Sequence, residues 1–231
     1  MKTKDFIFLA GVTIFFLPFF LFAPLLEAYQ SFNTAHGMIM SFIKFAVLAT
    51  LGEVIGLRIK TGNYNQPGFG VLPRAIVWGF LGLTIQMAFI IFSVGAPAFL
   101  VYLGIENAGI ALGQPGLSAE KILTAFTVSA TMNLIYAPVM MTLHKITDTH
   151  IESNGGTVAG LLKPIAMGEI MAGINWKVQW SFVFKKTIPF FWIPAHTITF
   201  LLPPEYRVLF AAVLGIVLGV FMAIAAVAGK K

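Results

Sequence analysis

The last long segment of the chain is an apolar run that no water-soluble domain requires. Residues 208–228 form a stretch of 21 residues without a polar side chain, and a helix of this length spans about 30 Å of bilayer hydrocarbon. Small residues recur within it at every fourth position: Ala211, Gly215, Gly219 and Ala223. This spacing predicts a helix face that another backbone can approach closely. The alternative is that these small residues are simply compatible with lipid and do not mark a helix contact.

Apolar residues dominate the whole chain. They make up 58% of it, charged residues make up only 10%, and the mean hydropathy is +0.88. The apolar runs are continuous rather than alternating, which favours helices over an outer-membrane barrel. We therefore predict an all-α, polytopic helical membrane bundle that forms one integral membrane domain over residues 1–231, with the lipid bilayer as its first partner.

The polar residues give little support to soluble or enzymatic functions. The chain has no cysteine, which excludes disulfides, thiol catalysis and thiolate metal sites. Its pI of 9.6 comes from basic residues at helix ends, a pattern typical of membrane topology rather than nucleic-acid binding. No Gly-rich phosphate loop follows a strand, and no set of nucleophile, base and acid stands out. We expect no nucleic-acid partner, no cofactor and no catalytic residue.

About six membrane segments are predicted, and five if a Pro-broken segment near the end does not cross. Residues 6–26 are expected to form a retained anchor helix bent at Pro18, within an N-terminal extension of residues 1–35. Residues 95–117, with five glycines and two prolines, are expected to make a re-entrant or interfacial excursion, and residues 158–171 a surface helix. The other predicted helices cover residues 36–57, 73–94, 118–144, 188–202 and 208–228.

Basic residues are unevenly divided between the two sides of this layout. Six crossings put twelve of the 15 Lys and Arg residues on the side of the N-terminus. Only Lys121 and Arg207 fall on the other side, and Lys44 lies within a span. Because positive residues concentrate on the cytoplasmic side, we predict that both termini are cytoplasmic.

Three sequence blocks carry a resemblance to a known family. They are Leu51-Gly52-Glu53-Val54-Ile55-Gly56 followed by Arg74 and Trp78-Gly79-Phe80-Leu81-Gly82, then Met132-Asn133-Leu134-Ile135-Tyr136-Ala137-Pro138, then Trp176 onward to Tyr206-Arg207. In this order they resemble the Mpv-seventeen and peroxisomal-membrane-protein family, as a bacterial-type member with an extra N-terminal helix. The family-like core covers residues 40–225.

The resemblance implies a small helical membrane protein associated with channel-like passage of small solutes, without established catalysis. It also implies a membrane of mitochondrial, peroxisomal or bacterial type, and for this chain we expect a bacterial cytoplasmic (inner) membrane. The sequence departs from the family pattern in two blocks. The family's Asp-Gln is Met132-Asn133 here, and its Trp-Pro is Trp192-Ile193-Pro194.

Glu53 is the foremost candidate for a functional residue, because a carboxylate inside a span is costly unless it faces protein, water or a counter-charge. Two interpretations remain open. Glu53 lines or gates a pore whose cytoplasmic mouth is biased by Arg74, or it forms a structural clamp with Arg58 or Arg74. Gly52 and Gly56 flank it and predict close helix packing.

Further polar candidates lie on the third and fourth apolar segments. Gln86 shares a helix face with Gly79 and Gly82, which are themselves expected to pack against another helix. Asn133 lies in the fourth segment. Each amide needs hydrogen-bond partners in the membrane, so both could line a pore or could join neighbouring helices.

The histidines suggest two further hypotheses. His196 follows Pro194 and could gate a pore by protonation, with a packing role as the alternative. His144, Asp148 and His150 have spacing compatible with a metal site, with a solvated helix end as the alternative, because three ligands lack a nearby fourth.

The leading hypothesis is a membrane channel or pore for small solutes or ions, and the chain is not expected to be an enzyme. The alternative is a non-conducting membrane scaffold that self-associates into a homo-oligomer through its glycine seams, including Gly215 and Gly219.

Overall fold

The protein is all-helical throughout the part of the chain that this computed structural model describes, residues 2–228. Two compact units are present, Met1–Met40 and Ser41–Lys231. The predicted cytoplasmic C-terminus, with Lys230 and Lys231, lies outside the described residues.

The first unit contains three consecutive helices where a single bent anchor was predicted. They are α1 (Thr3–Phe16), α2 (Pro18–Leu21) and α3 (Ala23–Ala35). The predicted break at Pro18 is confirmed, since α2 begins there. A second break at Phe22, which has an extended backbone, separates α3 from α2 and divides the anchor helix predicted over residues 6–26. No side chain of these three helices is buried.

The second unit contains long helices joined by turns and short helical segments. They are α4 (Gly37–Thr61, which begins just before the unit boundary), α5 (Val71–Tyr102), α6 (Ala108–Ala111), α7 (Ala119–Ser153), α8 (Val158–Leu161), α9 (Met167–Gly173), α10 (Trp176–Val178), a π helix (Gln179–Trp192), α11 (Ile193–Leu201) and α12 (Pro204–Ala228). Ser118 caps α7, since its side chain accepts a hydrogen bond from the Lys121 backbone N–H.

Within residues 2–228, five helices are long and apolar enough to cross a membrane. They are Thr3–Leu21, Gly37–Thr61, Val71–Tyr102, Ala119–Ser153 and Pro204–Phe221. The sixth predicted segment is helical as well, because α10, the π helix and α11 follow one another without a gap. Lys177, Lys185 and Lys186 lie in the part of this helical stretch that precedes the predicted segment, residues 188–202. The protein is thus a helical membrane bundle, and the crossing of this sixth segment stays a prediction.

Several predicted boundaries are wrong. Helix α5 continues through Pro97 to Tyr102, so the expected excursion over residues 95–117 shrinks to α6 and its turns. Helix α7 continues past His144 because Ile146 and Ile151 on its last turns are buried in the core. The expected surface helix over residues 158–171 is instead two short helices, α8 and α9, and Pro164 lies between them.

Glycines set the closest helix contacts. A Cβ added at Gly79 would fall 2.5 Å from the Phe42 ring, and one at Gly82 would fall 2.8 Å from the Ser41 carbonyl oxygen. The Ser41 hydroxyl also donates to the Gly82 carbonyl at 2.7 Å. Both glycines therefore pack α5 against α4, as predicted.

Helix α12 packs against α4 through a second glycine contact. A Cβ at Gly52 would fall 2.9 Å from the Cα of Ile216, and one at Gly219 would fall 3.4 Å from the Gly52 carbonyl oxygen. Gly56 has more room, with the Gly219 oxygen 3.6 Å from its added Cβ. Gly219, one member of the predicted seam on α12, is thus packed against α4 within the chain.

Candidate functional site

A buried arginine joins the helices at one end of the second unit. The Arg74 side chain, on the first turn of α5, is only 4% exposed, and its Nη1 donates to Glu53 Oε2 and to Asp148 Oδ1, both at 2.6 Å. Its Nη2 donates to Glu152 Oε1 at 2.7 Å. The planar guanidinium therefore ties α4, α5 and α7 together, because its fixed set of donors can serve several carboxylates at once. We call Arg74 and these three acidic residues the arginine cluster.

Glu53 is held on both carboxylate oxygens. Oε2 accepts from Arg74, while Oε1 accepts from the Trp78 indole N–H at 2.7 Å and lies 2.9 Å from His144 Nε2. The Trp78 and His144 rings also contact each other, with centroids 4.4 Å apart. Of the two interpretations of Glu53, the clamp with Arg74 is therefore realised, and Arg58 lies instead over the Tyr64 ring.

Two tight loops orient the arginine. The Arg74 Nε donates to the Phe69 carbonyl at 2.8 Å, and the guanidinium lies over the Phe69 ring. The next residue, Gly70, has a φ of +70°, and a Cβ there would fall 2.8 Å from the Cα of Gly156. Gly156, with a φ of +67°, meets the Gly68 backbone in the same way. Only glycine combines this conformation with such close backbone contact.

The predicted metal ligands are partly brought together. One ligand atom each from Glu53, His144 and Asp148 lies within 4.8 Å of the others, so these residues could hold a metal ion. The Arg74 guanidinium already bonds both carboxylates, and a metal ion would have to displace it. His150 is not part of the group, which corrects the prediction. Its Nε2 lies 3.3 Å from the Leu161 carbonyl oxygen, because two positions beyond Asp148 is another helix face.

A cavity of about 350 Å³ lies beside the arginine cluster, inside the second unit. Its walls come from α4, α5, α7, the π helix, α11 and α12. The lining along α7 extends from Met132 to Lys145, which is about 20 Å at the α-helical rise per residue. Glu53, Trp78, His144 and Gln179 mark one end, and Asn133, Trp192 and His196 mark the other. Most of the remaining lining is aromatic or aliphatic, including Phe45, Phe89, Tyr136 and Met140.

The far end of the cavity carries two buried polar side chains. Asn133 is 2% exposed and His196 is 7% exposed. The Asn133 amide nitrogen donates to the Ser129 carbonyl at 2.8 Å. The amide oxygen accepts no hydrogen bond from residues 2–228. The His196 ring stacks on Trp192, with centroids 5.2 Å apart, and meets the Phe89 ring edge to face.

Gln86 lies away from this cavity, although it was predicted to share a pore with Glu53 and Asn133. Its amide oxygen is buried on α5 without a hydrogen-bond partner among residues 2–228. Gly215 is the opposite case. It was predicted to pack against a helix, but it lines the cavity, and a Cβ added there meets nothing within 4 Å.

Sequence reasoning missed Glu152 and the indole of Trp78, both of which bind members of the arginine cluster. Trp78 follows Arg74 by one helical turn, a spacing that places the two side chains on one face. Glu152 follows Asp148 by one turn in the same way. These spacings indicated which residues share a helix face. They did not indicate that Glu152 binds Arg74 or that Trp78 binds Glu53, because each pair joins two different helices.

No protein-family model, no curated protein and no solved structure matches this chain. The resemblance to the Mpv-seventeen and peroxisomal-membrane-protein family therefore stays a prediction.

Proposed function

We propose that this protein is a gated membrane channel for small solutes, and that the cavity between α4, α5, α7, the π helix, α11 and α12 is part of the path. The cavity carries the proposal. Its lining along α7 covers about 20 Å of a hydrocarbon layer that is about 30 Å thick, and it places polar side chains at both ends of an apolar middle. We infer no catalytic role, and an inner-membrane location follows from the family resemblance alone.

We infer that side-chain packing restricts both ends of the path in this conformation. Beyond Asn133, the first turns of α7 bring Thr124 and Val128 into complete burial, and Phe200 of α11 is equally buried. At the other end, the arginine cluster binds three helices together. Passage of a solute therefore requires these ends to open, and the ion pairs of Arg74 are the contacts that opening must break at one of them.

The scaffold hypothesis has less support from the geometry. It assigned the glycine seam of α12 to contacts between copies of the protein. Gly219 lies instead against Gly52 of the same chain, and Gly215 faces the cavity.

Flux of graded solutes through purified protein in liposomes tests the proposal, with Glu53→Gln beside the wild type. Glutamine keeps the shape of the side chain but removes the charge that binds Arg74, so we expect the closed end to loosen and the flux to change several-fold. Gln86→Leu is the matched control, because Gln86 lies outside the cavity, and its flux should equal that of the wild type.

Equal flux for wild type and Glu53→Gln would contradict the proposal that the arginine cluster controls passage along the path. An absence of flux for every solute, over a range of voltage and pH, would contradict the channel and favour the scaffold.

A further inference from the structure

The far end of the cavity presents two hydrogen-bond acceptors that no donor reaches. The Trp192 indole N–H at this end also has no partner among residues 2–228, but its nitrogen is buried. The Asn133 amide nitrogen lies 2.8 Å from the Ser129 carbonyl oxygen and 3.3 Å from the Ser129 hydroxyl oxygen. The Ser129 hydroxyl in turn donates to the Ile193 carbonyl. Because a carbonyl only accepts, the nitrogen of the Asn133 amide must be the atom near Ser129. The Asn133 Oδ1 is then an acceptor, and no group among the described residues donates to it.

The hydrogen bonds of Thr199 indicate which ring nitrogen of His196 carries the proton. The Thr199 hydroxyl donates its one hydrogen to the Ala195 carbonyl at 3.0 Å, so toward His196 Nδ1, at 3.4 Å, it acts as the acceptor. We assign the His196 proton to Nδ1, the tautomer consistent with this contact, which leaves Nε2 as an acceptor. Within the described part of the chain, no donor reaches Nε2. Two acceptors, each on a side chain more than nine-tenths buried, thus end a mostly apolar cavity.

Buried acceptors without donors are costly, and a bound molecule with donors would relieve that cost. The rest of the lining specifies the body of such a molecule. The rings of Trp192, Phe89 and Tyr136 line this part of the cavity, and aromatic side chains pack favourably against flat apolar or aromatic groups. The volume of about 350 Å³ lies at the small end of the range for ligand sites.

Charge is disfavoured at this end. An anionic ligand group would face the lone pairs of Asn133 Oδ1 and His196 Nε2. A cationic ligand group would lose its hydration without a carboxylate beside it. The acidic residue in the lining, Glu53, lies at the opposite end and has both oxygens engaged by Arg74, Trp78 and His144.

We propose that the cavity binds a small, uncharged aromatic molecule that bears N–H donors, with the donors directed at Asn133 Oδ1 and His196 Nε2. As a statement about the transported solute, this inference rests on the proposed function. As a statement about a binding site, it stands on the cavity and its two acceptors.

Benzamide and three close analogues test the inference, by ligand-observed NMR titration of the purified full-length protein. Benzamide is neutral and has two N–H donors, N,N-dimethylbenzamide has none, benzoate is an anion and benzamidinium is a cation. We expect saturable binding of benzamide and binding weaker by about tenfold or more for each analogue, the difference that about 1.4 kcal/mol produces. Equal or tighter binding of the dimethyl, anionic or cationic analogue would overturn the inference.

Substitutions locate the site. His196→Phe keeps the ring against Trp192 but removes the acceptor, and Asn133→Leu removes the other acceptor at similar volume. Each should weaken benzamide binding about tenfold, while Gln86→Leu should leave it unchanged. Size-exclusion chromatography and circular dichroism check folding, so that His196→Phe keeps the test decisive if Asn133→Leu does not fold. Benzamide binding that is unaffected by a folded His196→Phe would contradict the assignment.

The flux assay separates the two proposals. Flux of small solutes without benzamide binding would overturn the ligand inference and leave the channel. Benzamide binding that depends on His196, without flux of any solute, would overturn the channel and leave the binding site.

Discussion

The guanidinium of Arg74 lies 2.6 Å from the carboxylate of Glu53, which precedes it by 21 residues on the neighbouring helix. This contact fixes the antiparallel pairing of α4 and α5 at one end of the bundle, and Asp148 and Glu152 extend it to α7. The contact lies at one end of the cavity, which Glu53 lines, so Arg74 contributes both to stability and to the proposed gate.

Arg74→Lys should lower the free energy of unfolding by about 3 kcal/mol. A lysine ammonium cannot reproduce a planar fork that bonds three carboxylates and the Phe69 carbonyl, and leaving the partly buried Glu53 and Asp148 carboxylates unpaired is costly. Reversible unfolding in mixed micelles measures the change. Arg58→Lys is the matched control, because Arg58 lies over the Tyr64 ring, and there we expect a loss of at most about 1 kcal/mol. Equal losses for the two variants would contradict the structural role of the arginine cluster.

Gly156→Ala should destabilise the protein more than Gly155→Ala, by about 1–3 kcal/mol. Both glycines have positive φ, +67° and +75°, so both substitutions strain the backbone. Only the Cβ at Gly156 would also collide, at 2.7 Å from the carbonyl carbon of Gly68. The difference between the two midpoints of thermal unfolding isolates the loop contact beside Arg74. Identical midpoints would mean that the two loops do not touch.

Helix existence could be predicted well from the sequence, since long apolar runs leave few alternatives in a membrane. Helix ends were harder to predict. The polar residues after His144 indicated an end, but Ile146 and Ile151 bury the last turns of α7 against neighbouring elements. Such burial depends on residues distant in the sequence, which periodicity does not report.

The site could be predicted only in part, for the same reason. The cost of a carboxylate in a span singled out Glu53, and its pairing with Arg74 was one of two stated alternatives. Gln86 and Gly215 were misassigned because helical spacing gives the face of a residue but not the partner that this face meets. The direction of a face is set by the packing of the whole bundle.

Gly52→Ala should destabilise the protein by about 1–3 kcal/mol, and Gly56→Ala by clearly less. The added Cβ at Gly52 would lie 2.9 Å from the Cα of Ile216, whereas the nearest atom to a Cβ at Gly56 is 3.6 Å away. The first substitution therefore forces α12 away from α4, since backbone cannot yield as a side chain can. Unfolding in mixed micelles measures the loss, and size-exclusion chromatography measures the oligomeric state.

The same pair of variants bears on the scaffold alternative. A change of oligomeric state in Gly52→Ala, without a loss of monomer stability, would show that the seam joins copies of the protein instead of α4 and α12.

Blocking the cavity tests the central claim most directly. Gly215 lines the cavity with nothing within 4 Å of an added Cβ, and Gly95, in an exposed part of α5, has equal space outside it. Liposome flux should therefore fall about tenfold or more in Gly215→Leu and stay at the wild-type level in Gly95→Leu, with both variants folded. Unchanged flux in Gly215→Leu would contradict the claim that solutes pass through this cavity.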